Sequence, residues 1–209
     1  VHPHGIICHG LAANGLFGTP DELKFIGEYR VAMNTLMVLI PFWRELMLRS
    51  GAIEVSSRAM ASCLKKGRSV FVVPGGAREA LYSKPGYSYF PVEKRLGFVK
   101  LALKNGVDLV PVYNFGESEM YDLWVDSSDP SKHGVLHTFQ QILKKFFGTT
   151  LPFFKGRRGT ALPFRKPLVA MYGKPIEIPH IPNPTKEQIV HWNAKYAKAL
   201  KDLYEKYKP

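Results

Sequence analysis

Ser69-Val70-Phe71-Val72-Val73-Pro74-Gly75-Gly76 is the stretch whose reading decides the fold. Its nearly continuous apolar run is the mark of a strand buried on both faces, and the glycine pair stops it. Upstream, Ala52-Ile53-Glu54-Val55 is a short strand signal, and Ser57 to Lys66 reads as a short helix closed by Gly67. Downstream, a Tyr-, Pro- and Gly-rich loop (Tyr82 to Pro91) precedes a helix over Arg95 to Lys104, with Phe98, Leu101 and Ala102 on one face. Asn105-Gly106 closes that helix. Val107 to Tyr113 reads as a second buried strand, and Leu168 to Tyr172 as another, followed by extended chain over Lys174 to Pro179. Strand–helix alternation predicts an α/β fold, a mainly parallel sheet flanked by helices, whose working end lies beyond the strand C-termini.

The final helix has the clearest signature. Thr185 can cap it, and Gln188 completes a capping box. Ile189, Trp192, Tyr196, Leu200, Leu203 and Tyr207 form a stripe at spacings of three and four, a docking face for the body of the domain. No repeat or low-complexity linker divides the 209 residues, so a single domain over 1–209 is expected.

Composition sets outer bounds. At 45% hydrophobic and 12% aromatic the chain has material for a large core and is not a disordered class. Cys8 and Cys63 cannot build a disulfide scaffold. The longest apolar run, Val31 to Trp43, contains Asn34, Thr35 and Pro41 and falls short of the roughly 20 residues of a spanning helix. The chain opens on Val1-His2-Pro3-His4-Gly5 with no lead-in, so the true N-terminus is expected upstream.

The balance of 29 Lys+Arg against 17 Asp+Glu gives a net charge of +12, and it is unevenly placed. Pro130 to Ile176 holds no acid, but it carries Lys132, Lys144, Lys145, Lys155, Arg157, Arg158, Arg165, Lys166 and Lys174. Phe139, Phe146, Phe147, Phe153, Phe154, Phe164 and Tyr172 are interleaved. Such a mixture suits a membrane surface with anionic headgroups, where each cation is worth about 1 kcal/mol. It equally describes a solvated basic face over a phenylalanine core. No recognition motif accompanies the charge, so nucleic acid is not the expected partner.

Three points near strand ends hold reactive groups: His2-Pro3-His4-Gly5, Pro74-Gly75-Gly76-Ala77-Arg78-Glu79 and Phe115-Gly116-Glu117. An imidazole such as His4 can move a proton near neutral pH, typically worth about 10²–10⁴-fold in rate. Gly75 and Gly76 let backbone approach a ligand and offer N–H groups to a phosphate or an oxyanion. Arg78 can pair with phosphate, and Glu79 can hold a histidine in one tautomer. His2, His4 and His9 with Cys8 have the residue types of a zinc site, yet no second His-rich or acidic cluster completes one, so no metal is expected. Cys8 as nucleophile would have only His9 as base, and His2 is expected to be the more structural histidine.

Together these segments resemble the diacylglycerol acyltransferase 2 family, which includes monoacylglycerol and wax-alcohol acyltransferases. The matching pieces are His2-Pro3-His4-Gly5, Phe71 to Leu81 with its Gly-Gly-Ala-Arg-Glu core, Arg95 to Leu103, Leu109 to Glu117, and Gly173-Lys174-Pro175-Ile176. Order and spacing hold over nearly all 209 residues. The resemblance implies acyl transfer from acyl-CoA to the hydroxyl of diacylglycerol or a related neutral lipid. It also implies no cofactor beyond the acyl-CoA co-substrate, and a location at the endoplasmic reticulum membrane and lipid-droplet surface. More remotely the pattern is similar to the glycerolipid acyltransferases, with His4 matching their base and Arg78 the arginine of their Pro-Glu-Gly-Thr-Arg block. Their Asp five positions after the base is here His9, so the carboxylate that orients His4 must come from elsewhere. Glu79 is the first choice and Glu117 the second, and Arg78, Arg95 and Lys100 are candidates for CoA phosphates. The family usually has an apolar segment ahead of the His-Pro-His-Gly element, which this chain does not show.

Overall fold

The computed structural model describes residues 1–6, 8, 26–34, 43–49, 51–80, 83, 91–124, 134, 138, 142 and 153–208. Strand β1 (Tyr29–Met33) is central to a three-stranded parallel sheet. It pairs with β2 (Ile53–Glu54), Ala32 opposite Ile53, and with β3 (Ser69–Phe71), Val31 opposite Phe71. β1 has no counterpart among the expected strands, because Arg30 interrupts its apolar run, although Val31 and Ala32 are buried. The helix Trp43–Arg49 (α1), which precedes β2, was likewise not expected.

Helix α2 (Ser57–Lys65) leads from β2 to β3 as the sequence predicts, with the Ala59 N–H donating to Ser56 Oγ at 3.2 Å to cap it. β3 is not buried on both faces: Phe71 is buried, whereas Ser69 and Val70 are half-buried. A cavity along the strand accounts for this. A short helix, α3 (Ala77–Ala80), follows the glycine pair, and the loop to Pro91 lies outside the described residues apart from Ser83. Helix α4 (Gly97–Asn105) starts later than expected. Arg95 lies just past the preceding 3-10 turn (Pro91–Lys94), which its N–H closes by donating to the Val92 carbonyl at 3.0 Å. Gly106, left-handed at φ 60°, closes α4 as read.

The expected strand over Val107 to Tyr113 is displaced. The ladder proper is β4 (Val112–Phe115), and Leu109 makes only one bridge, to Ile176. Pro111 between them has no N–H to continue a ladder. Two short strands follow, β5 (Asp122–Leu123) and β6 (Phe154–Lys155), which pair antiparallel. β7 (Val169–Tyr172) pairs antiparallel with β4. The expected mainly parallel sheet is thus found as a three-stranded parallel sheet and two separate antiparallel pairs, still broadly α/β. The first residues link the end of β3 to β4. Val1 N donates to Val72 O at 2.9 Å, and His2 forms a parallel bridge with Tyr113 through Val112 O and Asn114 N.

The last helix, α5 (Lys186–Tyr207), has the full capping box: Gln188 N–H donates to Thr185 Oγ1 at 3.3 Å, and Thr185 N–H to Gln188 Oε1 at 2.9 Å. Ile189, Tyr196, Leu200 and Leu203 are buried as the stripe requires. Tyr207 is exposed and Trp192 only half-buried, and Asn193 is the unforeseen member. Its Nδ2 donates to the Val92 and Glu93 carbonyls at 3.2 Å each, tying α5 to the 3-10 turn. Tyr196, Leu200 and Leu203 pack with Val92 and Tyr113, so this core backs the strands that carry the His2 segment. Among the described residues, no helix is long and apolar enough to cross a membrane.

Candidate active site

The sheet brings all three motif segments to one place. His2 lies beside β4, the Gly75-Gly76 turn follows β3, and Glu117 sits in a 3-10 turn (Glu117–Glu119) just past β4. Their carboxylates are seated in glycine gaps. A Cβ on Gly5 would fall 2.5 Å from Glu117 Oε1, and one on Gly75 would land inside the Glu79 carboxylate. Gly5 is also left-handed, at φ 60°. Gly5 and Gly75 thus each make room for a buried acid, and both acids are only 2% exposed.

The two histidines have different partners. His2 is fully buried, with Nδ1 3.6 Å from Glu79 Oε1 and its ring 6.2 Å from that of Tyr196. That distance is beyond a hydrogen bond but within strong electrostatic reach in a dry site. Neither His2 nitrogen nor Glu79 oxygen has a hydrogen-bond partner among the described residues. Burial lowers the His2 pKa below 6.5, and Glu79 opposes the shift. Burial thus disfavours the charged ring, and the Glu79 carboxylate offsets part of that cost.

His4 is half-buried, with Nδ1 2.9 Å from the carbonyl of Gly5. A carbonyl has no hydrogen to give, so Nδ1 carries the proton and Nε2 presents its lone pair. Burial lowers this pKa also; the Gly5 bond and Glu79 pull it back up. The expected orienting carboxylate thus stands against His2, and the backbone carbonyl of Gly5 sets the tautomer of His4.

The remaining expected residues divide. Gly76 N–H donates to Val73 O at 3.2 Å and is spent on the turn. Arg95 Nη2 donates to the Gly75 carbonyl at 3.3 Å, holding that peptide in place. Lys100 is exposed on α4. Arg78 is in α3, and its side chain lies outside the described set, as does all of His9. Burial pushes the Cys8 thiol well up, and Glu117 and Glu79 add to the shift, the opposite of what a nucleophilic thiolate needs. Among the described residues, no three His, Cys, Asp or Glu side chains gather as a metal site would.

Two neighbours escaped the sequence reading. Tyr196 belongs to the α5 stripe, yet its ring faces His2, and its hydroxyl pKa is raised by burial and then by Glu79. Asn114 is 2% exposed, with both amide atoms unpartnered among the described residues, and its N–H is bonded to His2 O at 2.7 Å. A polar residue inside an apolar strand run was the available signal for Asn114. Tyr196 had none, because helical spacing cannot tell a core ring from one that also meets a site.

The chain matches the family described as diacylglycerol acyltransferase over residues 1–209. It is 34% identical over 223 residues to diacylglycerol O-acyltransferase 2B of Umbelopsis ramanniana, covering 99% of this chain and 62% of that protein. Diacylglycerol O-acyltransferase 1 of Schizosaccharomyces pombe is 36% identical over 216 residues, 99% of this chain and 61% of its own. For 2-acylglycerol O-acyltransferase 3 of Homo sapiens the identity is 34% over 216 residues, with shares of 99% and 63%. The chain thus spans about three fifths of the length of these relatives. No solved structure matches it.

Proposed function

Since the chain belongs to the diacylglycerol acyltransferase family, we propose that it moves a fatty acyl group from acyl-CoA to the hydroxyl of a neutral lipid, with diacylglycerol as first choice. The observation that carries this reading is His4. Its Nδ1 proton is held by Gly5 O, which leaves Nε2 free to act as a base. Nε2 takes the acceptor's hydroxyl proton as that oxygen attacks the thioester carbonyl. The C–S bond breaks, and the proton passes to the departing CoA sulfur. Gly75 N–H is the candidate donor to the oxyanion, since Gly76 N–H is taken; one such donor is worth about 3 kcal/mol. Direct transfer is preferred to an acyl-enzyme because the Cys8 thiol is held protonated. Glu79 acts through His2, fixing the segment that carries His4, and Arg78 and Lys100 remain the candidates for CoA phosphates.

The reading extends to residues 1–209 as a single catalytic domain working at the cytosolic face of the endoplasmic reticulum membrane or a lipid droplet. Lys155, Arg158, Arg165, Lys166 and Lys174 are exposed, and Trp124 and Leu162 beside them are more than half exposed, which supports contact with an anionic interface. Phe154 does not contribute to that contact, because it packs edge-on against Tyr121 at 4.8 Å. Lys132, Lys144, Lys145, Phe139, Phe146 and Phe147 lie outside the described residues. The deciding experiment incubates the protein with radiolabelled acyl-CoA and, in parallel, diacylglycerol, monoacylglycerol and a long-chain alcohol. Triacylglycerol is the expected product. Liposome binding with no product from any acceptor overturns the reading.

A further inference from the structure

An apolar pocket of about 450 Å³, half open to the surface, lies between β3 and the helices α2 and α4. Phe71, Met60, Leu64 and Leu101 are among its apolar walls. Its lining includes none of the candidate site residues themselves but does include their neighbours at one end: Val1 precedes His2, Pro74 precedes Gly75, and the Tyr196 ring lies 6.2 Å from that of His2. The other end meets Arg68 and Asp108, whose charges are already engaged. Arg68 Nε is 2.9 Å from Glu28 Oε1, and Asp108 Oδ1 accepts from Ile178 N–H at 3.2 Å.

We propose that this cavity is the acyl-chain site, holding the hydrocarbon tail of the donor with its thioester at the Pro74–Gly75 end and its methyl end toward Arg68. The inference rests on the acyl-transfer reading. Volume selects the occupant. At about 450 Å³ it lies toward the lower end of the ~300–1,000 Å³ range of small-molecule sites, a size for one acyl chain rather than the two of a diacylglycerol. Direction follows from β3. Ser69, Val70, Phe71, Val72 and Pro74 all line it, so the pocket runs along the stretch that leads from β3 to the turn. Leu101 and Leu64 stand on its flank, and the Arg68–Glu28 pair marks where apolar lining gives way to charge. These side chains set the acyl length.

The test compares kcat/KM for palmitoyl-CoA and octanoyl-CoA in the full chain and in Leu101→Phe and Leu64→Phe. Each methylene excluded costs about fourfold, equivalent to ~0.8 kcal/mol. The palmitoyl-to-octanoyl ratio is therefore expected to fall about tenfold or more in either variant. Leu101→Ala, which cannot overpack the site, shifts the ratio toward longer chains. Unchanged ratios in folded variants overturn the proposal. Calorimetric binding of the same two acyl-CoAs separates it from the activity. If the wild type transfers nothing but its palmitoyl-CoA affinity still drops in Leu101→Phe, the cavity stands and the activity reading falls. Equal affinity of variant and wild type for palmitoyl-CoA removes the cavity whatever the activity does.

Discussion

His2 and His4 are two residues apart, yet their surroundings are opposed. The His2 region is closed: a fully buried ring, the Glu79 carboxylate 3.6 Å away and a buried tyrosine close by. The His4 region is half open, and among the described residues its ring nitrogen Nδ1 is held by the neighbouring Gly5 carbonyl. A ring sealed in the core positions, whereas a ring with one nitrogen held and the other presented can react. Burial of a carboxylate against an imidazole is costly unless the geometry is built around it, and the gap at Gly75 supplies that geometry.

The sharpest way to break this contrast is His4→Ala. Transfer is expected to fall about 10²–10⁴-fold with the melting temperature little changed. Substantial turnover by a folded His4→Ala protein would move the base elsewhere. Next in size is Glu79→Gln, which keeps the shape and removes the charge facing His2. The expectation is about 10–100-fold in kcat with the acyl-CoA KM held, matching the loss of an interaction with a charged group. An unaffected rate transfers the positioning role to Glu117.

Gly75→Ala tests the seat itself. Its methyl must displace the Glu79 carboxylate, so urea unfolding should show a loss of about 1–3 kcal/mol, typical of overpacking. A fully stable Gly75→Ala protein would mean that the carboxylate has another place to go. The smallest effect is on pH. Burial lowers both histidines below 6.5, so the folded protein binds fewer protons than the unfolded chain as pH falls through that value. Stability is present above about pH 6.5 and declines below it, levelling off under the folded pKa values. The acid limb of kcat/KM is likewise expected below 6.5, because His4 stays neutral to lower pH. A limb at or above 6.5 would mean that His4 is better solvated than its half-buried position indicates.

Much of the α/β plan was readable in local pattern. Thr185 and Gln188 form their capping box, Gly67 and Gly106 close helices where expected, and the Ser69 run is a strand. Local signals operate within a turn or two of the chain, so they survive without tertiary context. The readings that moved were those in which one region depends on another. Pro111 postpones β4, Arg95 closes the preceding 3-10 turn through the Val92 carbonyl instead of opening α4, and Val31 of β1 is buried beside Arg30 because Val1, Phe71 and Val112 pack against it.

The sequence alone singled out His2, His4, Gly75, Glu79 and Glu117 as candidates, from motifs whose order carries the family resemblance. Only the tertiary structure decided their pairing. Glu79 faces His2 across 77 residues of chain, Glu117 fills the gap at Gly5, and Tyr196 arrives from the last helix. Spacing along a chain encodes periodicity, not which buried acid meets which ring. That choice is made where separate strand ends converge and each side chain must find a volume left open by another.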